Sequence, residues 1–253
     1  MKKLIALLSL LATATPALAD GQLSLSAGFD YSTGKYGGTK SINILSIPFT
    51  ATYETDKWTF KVTVPYISIS GAGAGVLPGM VRTGPKSTNQ TVTTTQSGLG
   101  DVILSAGYEF YSGDALTLDA VGKVKLGTAD ETKGLGTGMN DYSGQIDGYY
   151  VVSTTTFFAT AGYKLVGSPV GLNLNNVAFG TLGISQKLDN TDSAGVMLDA
   201  AQSPSATGAG PKTVTAFLSH KISDSTKLQP YVLKGLSTGS PDFGFGAMIT
   251  GKF

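Results

Sequence analysis

Apolar and polar residues alternate along most of this chain, and its last segment shows the pattern most simply. From Phe243 to Phe253 every second residue is apolar, with Gly251 as the one gap, and the residues between them are mostly small or polar. A period of two indicates a β-strand with one apolar face and one wetter face. An unpaired terminal strand of this kind is prone to aggregation, so we expect it to pair with the first strand of a closed barrel.

The same alternation recurs at short intervals along the chain. The apolar faces of the predicted strands begin at Leu23, Leu45, Trp58, Val102, Leu116, Tyr142, Phe157, Ala178, Ala194, Val214, Leu228 and Phe243. Strands of about 10 residues, in an even number, suit an antiparallel barrel that crosses a bilayer. The predicted fold class is therefore all-β, an antiparallel transmembrane β-barrel of about twelve strands.

Two predicted strands contain a proline, and one has an ambiguous pattern. Pro48 and Pro65 each lack a donor for the ladder, which predicts local bulges or weak pairing. In the strand that begins at Leu228, the two faces cannot be told apart, because Tyr231 and Leu233 compete with their apolar neighbours.

The connections between the predicted strands alternate in length. Short turns fall near residues 55, 113, 153, 190 and 224, and longer loops fall near 36, 85, 134, 171, 207 and 239. Outer-membrane barrels combine short periplasmic turns with longer extracellular loops, so the alternation predicts that both termini are periplasmic. The two longest loops, about 71–98 and 127–141, are predicted to be extracellular, and the first could fold into the pore.

The N-terminus predicts export. Lys2 and Lys3 precede the apolar run from Leu4 to Leu11, and Ala17-Leu18-Ala19 forms a small-x-small cleavage site. We expect a signal peptide of residues 1–19 and a single mature domain of residues 20–253. No later stretch approaches the ~20 apolar residues of a spanning helix, so the protein is predicted to enter the bacterial outer membrane by its strands.

Composition narrows the chemistry. Without Lys2 and Lys3 the chain has 16 basic residues, from 18, against 17 acidic ones, and this balance argues against a nucleic-acid partner. The absence of cysteine and the presence of one histidine argue against thiolate chemistry and against a Cys or His metal site. We therefore expect no metal and no cofactor.

The predicted lipid face carries almost no charge, because a charge there costs about 2–4 kcal/mol at the midplane of the bilayer. Charges of both signs fall on the other face, which is predicted to line the lumen. Two interpretations stay open: the charges pair across the lumen as a salt-bridge plug, or they line a narrow polar channel. The charged lumen candidates are Asp30, Lys61, Asp101, Glu109, Asp119, Lys123, Lys125, Asp147, Lys164, Lys187, Asp199 and Lys252.

Aromatic residues fall into two predicted groups. Most lie on the lipid face near strand ends, as the aromatic girdles of membrane barrels do. Tyr149, Phe158, Phe179 and Phe217 are predicted to face inward, where they either contact an apolar solute or pack against the wall.

The sequence predicts no catalytic site. Ser219 and His220 are adjacent in a predicted strand, so their side chains point to opposite faces and cannot act as a pair. The glycine-rich stretch Gly134–Gly138 lacks the spacing and the following helix of a phosphate-binding loop. We therefore expect the protein not to be an enzyme.

Three segments resemble a known family: SGLGDVILSAGYEF (97–110), GKVKLGTADETKGLGTGMNDYSGQID (122–147) and LSHKISDSTKLQPYVLKGLSTGSPDFGFG (218–246). They resemble the outer-membrane transporter family first named for the meta-pathway of phenol degradation. The resemblance implies an outer-membrane barrel that transports aromatic or other hydrophobic compounds. It supplies no binding residues.

The sequence thus predicts an outer-membrane channel for passive uptake or export of small solutes, with aromatic and hydrophobic compounds as candidates. The alternative is a structural barrel whose lumen is plugged and does not conduct. The expected partners are outer-membrane lipids and the barrel-assembly machinery, which would recognise the last strand and its terminal Phe253.

Overall fold

The computed structural model describes residues 21–72, 74–77, 80–83 and 93–253, so the predicted signal peptide lies outside the described residues. Within these ranges no helix has the length and hydropathy needed to cross a membrane. The strands are β1 Gln22–Gly34, β2 Ile42–Glu54, β3 Trp58–Ala72, β4 Ala74–Leu77, β5 Met80–Thr83, β6 Thr93–Leu99, β7 Val102–Ser112, β8 Leu116–Leu126, β9 Asp141–Val152, β10 Thr155–Leu165, β11 Val177–Lys187, β12 Asp192–Ala201, β13 Lys212–Lys221, β14 Thr226–Gly235 and β15 Phe243–Lys252.

The last strand closes the barrel, as predicted. β15 pairs antiparallel with β1, from Ser24 opposite Lys252 to Thr33 opposite Phe243. The N–H of Phe253 donates a further hydrogen bond to the carbonyl of Leu23 at 2.8 Å. Each remaining wall strand pairs with its neighbours in sequence, and β6 and β7 together make one wall strand, so the prediction of twelve antiparallel strands is confirmed.

The break between β6 and β7 occurs beside Pro65. β6 pairs with the part of β3 from Tyr66 onward, and β7 pairs with its first part, up to Thr63. Pro65 lies between the two ladders and has no N–H to donate, while its carbonyl accepts a hydrogen bond from Gly100 at 2.8 Å. The wall strand is therefore interrupted where proline cannot pair.

This break corrects the predicted loop of 71–98. Residues 93–98 belong to β6, and residues 71 and 72 end β3, so both ends of the predicted loop are wall. Between them β4 and β5 pair as a short hairpin. The prediction missed β6 because its threonine-rich sequence has no apolar alternation. Residues 73, 78–79 and 84–92 of the predicted loop lie outside the described residues.

The prediction of a bulge or of weak pairing at Pro48 is confirmed in its second form. Pro48 lies opposite Pro65 in an unshifted register that runs from Ile42 opposite Gly71 to Glu54 opposite Thr59. The pairing of β2 with β1 is interrupted at Pro48, with no change of register, so weak pairing occurs without a bulge. A register shift occurs instead in β7, between Glu109 and Tyr111.

The two faces of the wall differ as the alternation predicts. On the outside, Leu25, Phe49 and Leu182 remain 46%, 55% and 66% exposed, so the exterior is an apolar surface that suits lipid. Inside, hydroxyl groups pair across strands, for example Thr50 with Thr63 at 2.9 Å. Outer aromatic residues cluster near the turns and near the loops, as girdles do: Trp58, Phe110 and Tyr150 toward the turns, and Tyr66, Tyr142 and Tyr163 toward the loops. Tyr108 packs against Trp58 with ring centroids 4.8 Å apart.

Candidate functional site

The lumen contains two adjoining cavities in the half that faces the short turns. The basic cavity, of about 570 Å³, lies between β1, β2 and β13–β15, and its charged lining residues are Glu54, Lys61, Lys221, Asp224, Lys227 and Lys252. The acidic cavity, of about 630 Å³, lies along β3 and β7–β9, and its charged lining residues are Glu54, Asp56, Lys57, Lys61, Glu109, Asp119, Lys123 and Asp147. Charged and hydroxyl side chains therefore dominate this half of the lumen.

Three carboxylates form an acidic row across neighbouring strands. Glu109 lies opposite Asp119, and Asp119 lies opposite Asp147. Side chains directly opposite each other are about 5 Å apart at Cβ, and like charges at that spacing repel. The carboxylate of Asp147 has hydrogen-bond donors on both oxygens: Gln145 Nε2 donates at 2.7 and 2.8 Å, and the Thr160 hydroxyl donates at 2.6 Å.

Two acceptors beside this row have no donor. Asp119 Oδ1 and Gln145 Oε1 are buried, and no donor among the described residues reaches either atom. Buried acceptors of this kind are uncommon, because leaving one unpaired costs about 1–3 kcal/mol. Both residues line the acidic cavity, and because the two oxygens are themselves buried, they act on its contents through the negative potential they add.

The opposite half of the lumen, toward the long loops, is occupied by a loop. We call residues 127–140, between β8 and β9, the mouth loop. Its Ala129 and Leu135 are 7% and 3% exposed and pack against Ile42 and Ile69, which point inward from β2 and β3. Tyr36, Ile44 and Ile67 pack against the same cluster. This buried apolar cluster therefore narrows one mouth of the barrel.

A buried ion-pair cluster anchors the mouth loop. Lys125 Nζ lies 2.9 Å from Asp101 Oδ2 and 3.5 Å from Asp141 Oδ2, and the three side chains are 11%, 6% and 6% exposed. Lys125 also donates to the carbonyl of Met139 at 3.0 Å, and Asp101 accepts the N–H of Ala129 at 2.9 Å. The cluster thus ties both ends of the mouth loop to the wall.

Polar groups outside the strands shape the loop ends. The Thr132 hydroxyl donates to Asp130 Oδ1 at 2.6 Å, and with the N–H groups of Lys133 and Thr132 it holds the pKa of Asp130 below its usual value. Burial against the apolar cluster raises the pKa of Tyr36, whose hydroxyl lies 3.3 Å from that of Ser32. Gly138 adopts a φ of +68°, which favours glycine at the turn before Met139.

Inward aromatic rings cover glycines of the neighbouring strand. A Cβ built on Gly183 would lie 2.2 Å from the ring of Phe158, and a Cβ on Gly195 would lie 2.3 Å from the ring of Phe217. Phe179 covers Gly162 in the same way, and the rings of Phe158 and Phe217 are 6.5 Å apart. We call these three phenylalanines the aromatic wall; their wall-side faces are packed, as one interpretation of the sequence predicted.

The structure brings only part of the predicted lumen set together. Lys61, Glu109, Asp119, Lys123, Asp147 and Tyr149 share the acidic cavity, and Lys252 lines the basic one. Asp101 and Lys125 belong instead to the mouth-loop anchor. Lys187 lines a separate small cavity beside the turn after β11, and Lys164 pairs across strands with Ser143 and Val177.

Two predicted aspartates are held by hydroxyl groups of the wall. Asp199 accepts from Thr181 at 2.7 Å, and Asp30 accepts from Tyr231 at 2.6 Å. The sequence missed Tyr231 because its strand is ambiguous, and it missed Glu54, Lys221 and Lys227 because they lie at the turn ends of their strands, outside the alternating segments. It missed Leu135 because no periodic signal marks an apolar residue in a loop.

The charges do not form a salt-bridge plug. Among the side chains that the structure describes, the inward ion pairs within 4 Å inside the barrel are those of Lys125 with Asp101 and Asp141. The Lys221–Asp224 pair lies within a turn, and His220 pairs with Asp192 at 2.8 Å, across β13 and β12. Ser219 lines the basic cavity, on the face opposite His220. The lumen is therefore narrowed by the packing of the mouth loop and not by a network of ion pairs.

No family model matches the sequence, and no curated protein matches it. Solved structures share its fold. The COG4313 outer membrane channel from Pseudomonas putida F1 is similar with a TM-score of 0.73 at 14% identity, over 95% of this chain and 98% of that one. The KdgM porin has a TM-score of 0.56 at 10% identity, over 91% and 99%. The beta domain of the Bordetella autotransporter BrkA has a TM-score of 0.55 at 13% identity, over 92% and 100%.

At these identities the likeness shows the fold, which channels share with an autotransporter domain. The closed barrel and its apolar exterior are the architecture of bacterial outer-membrane proteins, in agreement with the predicted localisation. Function has to be argued from the lumen, because one barrel fold serves several functions.

The anchor of the mouth loop can be tested by replacing its lysine. Lys125→Met leaves Asp101 and Asp141 buried without their cation, and breaking a buried ion pair in this way costs about 3–5 kcal/mol. We expect a lower midpoint of thermal unfolding, measured by heat-modifiability of the refolded barrel on gels. Lys133→Met, which removes an exposed lysine of the same loop, should leave the midpoint unchanged. Equal midpoints for both variants would refute the anchor.

The glycines beneath the aromatic wall should not tolerate a methyl group. Gly183→Ala places a Cβ against the ring of Phe158, and overpacking of this kind costs about 1–3 kcal/mol. Gly122→Ala is the matched control in β8, because nothing lies within 4 Å of its added Cβ. We expect the first variant to unfold at a lower temperature, and the second to be neutral or slightly stabilised. The packing argument fails if the two substitutions have the same effect.

Proposed function

We propose that the protein is a channel through which small solutes cross the bacterial outer membrane passively. The observation that carries the proposal is the lumen, where two cavities of about 570 and 630 Å³ are lined by charged side chains. Most of these charges have no ion-pair partner among the described side chains, whereas a lumen filled for structural reasons would bury its charges as pairs. Water and solutes are the natural partners of such groups.

We further propose that aromatic and hydrophobic compounds are among the solutes. The rings of the aromatic wall cover glycines with one face, which leaves the other face directed away from the wall. The three side chains are half-buried, and accessible aromatic faces attract other rings through stacked or edge-to-face contacts. The segments that resemble the transporter family named for phenol degradation support the same solute class, and the proposal includes membership of that family.

The chain ends supply two further parts of this proposal. Cleavage after Ala19 would release the mature chain, with the short turns and both termini on the periplasmic side. The terminal strand, with Phe253 at its end, would be recognised by the barrel-assembly machinery. Catalysis has no place in the proposal, because diffusion through a lumen requires no reacting group.

A structural barrel with a closed lumen is the second candidate, and the mouth loop favours it. The apolar cluster of Leu135, Ile42 and Ile69 is as buried as a protein core, so it is an obstacle to ions. The two candidates differ in one measurable property, which is whether the folded protein conducts.

Single-channel recording tests the proposal directly. We expect stable unitary currents from the mature protein in planar bilayers, and we expect phenol to reduce them by occupying the aromatic wall. Replacing Phe158 and Phe217 together by Ala should weaken this block. Phe157→Ala is the matched control, since Phe157 is the outward neighbour of Phe158 and is 46% exposed. A folded, heat-modifiable barrel that stays silent would refute the channel, and an unchanged block in the double variant would refute the aromatic wall as its site.

The mouth loop should limit the current. Leu135→Ser removes the apolar contact that holds the loop against Ile42 and Ile69, so we expect a larger unitary conductance or more frequent opening. Val170→Ser serves as the control, because Val170 is a fully exposed apolar residue of another loop. If Leu135→Ser conducts as the unchanged protein does, the mouth loop does not control access to the lumen.

A further inference from the structure

The turn-side half of the lumen separates its charges by sign. Glu54 and Lys61 line both cavities, and their opposite charges cancel in the sum for each cavity. Of the remaining residues, three lysines and one aspartate line the basic cavity, whereas four carboxylates and two lysines line the acidic cavity. The two cavities therefore carry opposite net charges of equal size, and they adjoin at the β2–β3 hairpin.

The basic cavity contains lysines that have no ion-pair partner among the described side chains. Lys221 is paired with Asp224 at 2.8 Å within the turn before β14. Lys227 and Lys252 have no ion-pair partner within 4 Å among the described side chains. Ser26, Thr250 and other hydroxyl residues complete the lining. Ammonium groups together with hydroxyl donors suit a carboxylate or another small anionic group.

The acidic cavity has more carboxylates than lysines in its lining. Asp119 Oδ1 and Gln145 Oε1 are buried without a donor from the described residues, and both line this cavity. Glu109 adds a further carboxylate in the same row. No described group of three or more His, Cys, Asp or Glu side chains is arranged to hold a metal ion. The half-buried carboxylates of Glu109, Asp119 and Asp147, which line the cavity, instead suit an ammonium group, whose three N–H donors they can share.

We propose that this dipolar lumen selects small zwitterions, with the ammonium end directed to the acidic cavity and the anionic end to the basic cavity. The inference rests on the proposed channel function and adds a solute class to it. A zwitterion gains from both cavities, whereas a simple ion is attracted by one and repelled by the other. A neutral solute of the same size gains from neither.

Permeation of two isomers tests the proposal in the unchanged protein. β-Alanine is zwitterionic and lactamide is its neutral constitutional isomer, so the two match in composition and closely in size. We expect proteoliposomes to take up β-alanine several-fold faster than lactamide in an osmotic swelling assay. Salt should reduce the difference, because exposed charges are screened within about 8–10 Å at physiological ionic strength.

Charge variants assign the effect to the two cavities. Replacing Glu109, Asp119 and Asp147 by their amides should equalise the two uptake rates and make the channel select anions in a reversal-potential measurement. Replacing Lys221, Lys227 and Lys252 by Gln should also equalise uptake and make the channel select cations. The matched control, Lys133→Gln with Lys212→Gln and Lys234→Gln, removes three lysines that line neither cavity, and should change neither property.

The outcomes separate the two proposals. A folded protein that admits neither isomer and passes no current overturns the channel function, and the zwitterion site with it. A protein that conducts but admits both isomers at the same rate overturns the zwitterion site alone. Strong selectivity of the unchanged channel for ions of one sign would also overturn it, because cavities of equal and opposite charge predict weak selectivity.

Discussion

Every backbone N–H and C=O group inside a bilayer needs a partner from the protein itself, and the rest of this structure depends on that requirement. The ladder between β1 and β15 meets it by joining the two ends of the sheet. Once the sheet is closed, one face of every strand must meet lipid, and the other must enclose a lumen. The alternating sequence, the polar interior and the position of the cavities all follow from closure.

Closure also inverts the usual place of the hydrophobic core. Apolar side chains cover the outside of the barrel, and of the five buried apolar residues that the structure describes, four lie inside one mouth, where Leu135 and Ala129 meet Ile42 and Ile69. The wall is held by its ladders, whereas the mouth is held by this small cluster and by the buried charge of Lys125. The strength of the wall and access to the lumen are thus controlled by different sets of contacts.

The sequence predicted the wall well and the lumen only in part, for a physical reason. A period of two is a local property, and it assigned Leu25 to the outside and Asp119 to the inside without knowledge of any partner. The packing of a loop is not local. The choice of 71–98 as the loop that could fold into the pore rested on its length. Residues 127–140 are instead directed inward, because Leu135 packs against β2 and β3 and Lys125 pairs with Asp101, just before β7. The unpaired oxygens of Asp119 and Gln145 depend on three strands at once, and no sequence pattern reveals them.

The rings that lie over Gly162, Gly183 and Gly195 determine how the width of this lumen could change over evolution. Strand number fixes the diameter of the backbone cylinder, but the free bore at this level depends on how far the rings stand from the wall. A single methyl group beneath one ring would tilt it toward the axis and reduce the bore. The bore of the barrel can therefore drift by point substitution at glycines, with no strand gained or lost.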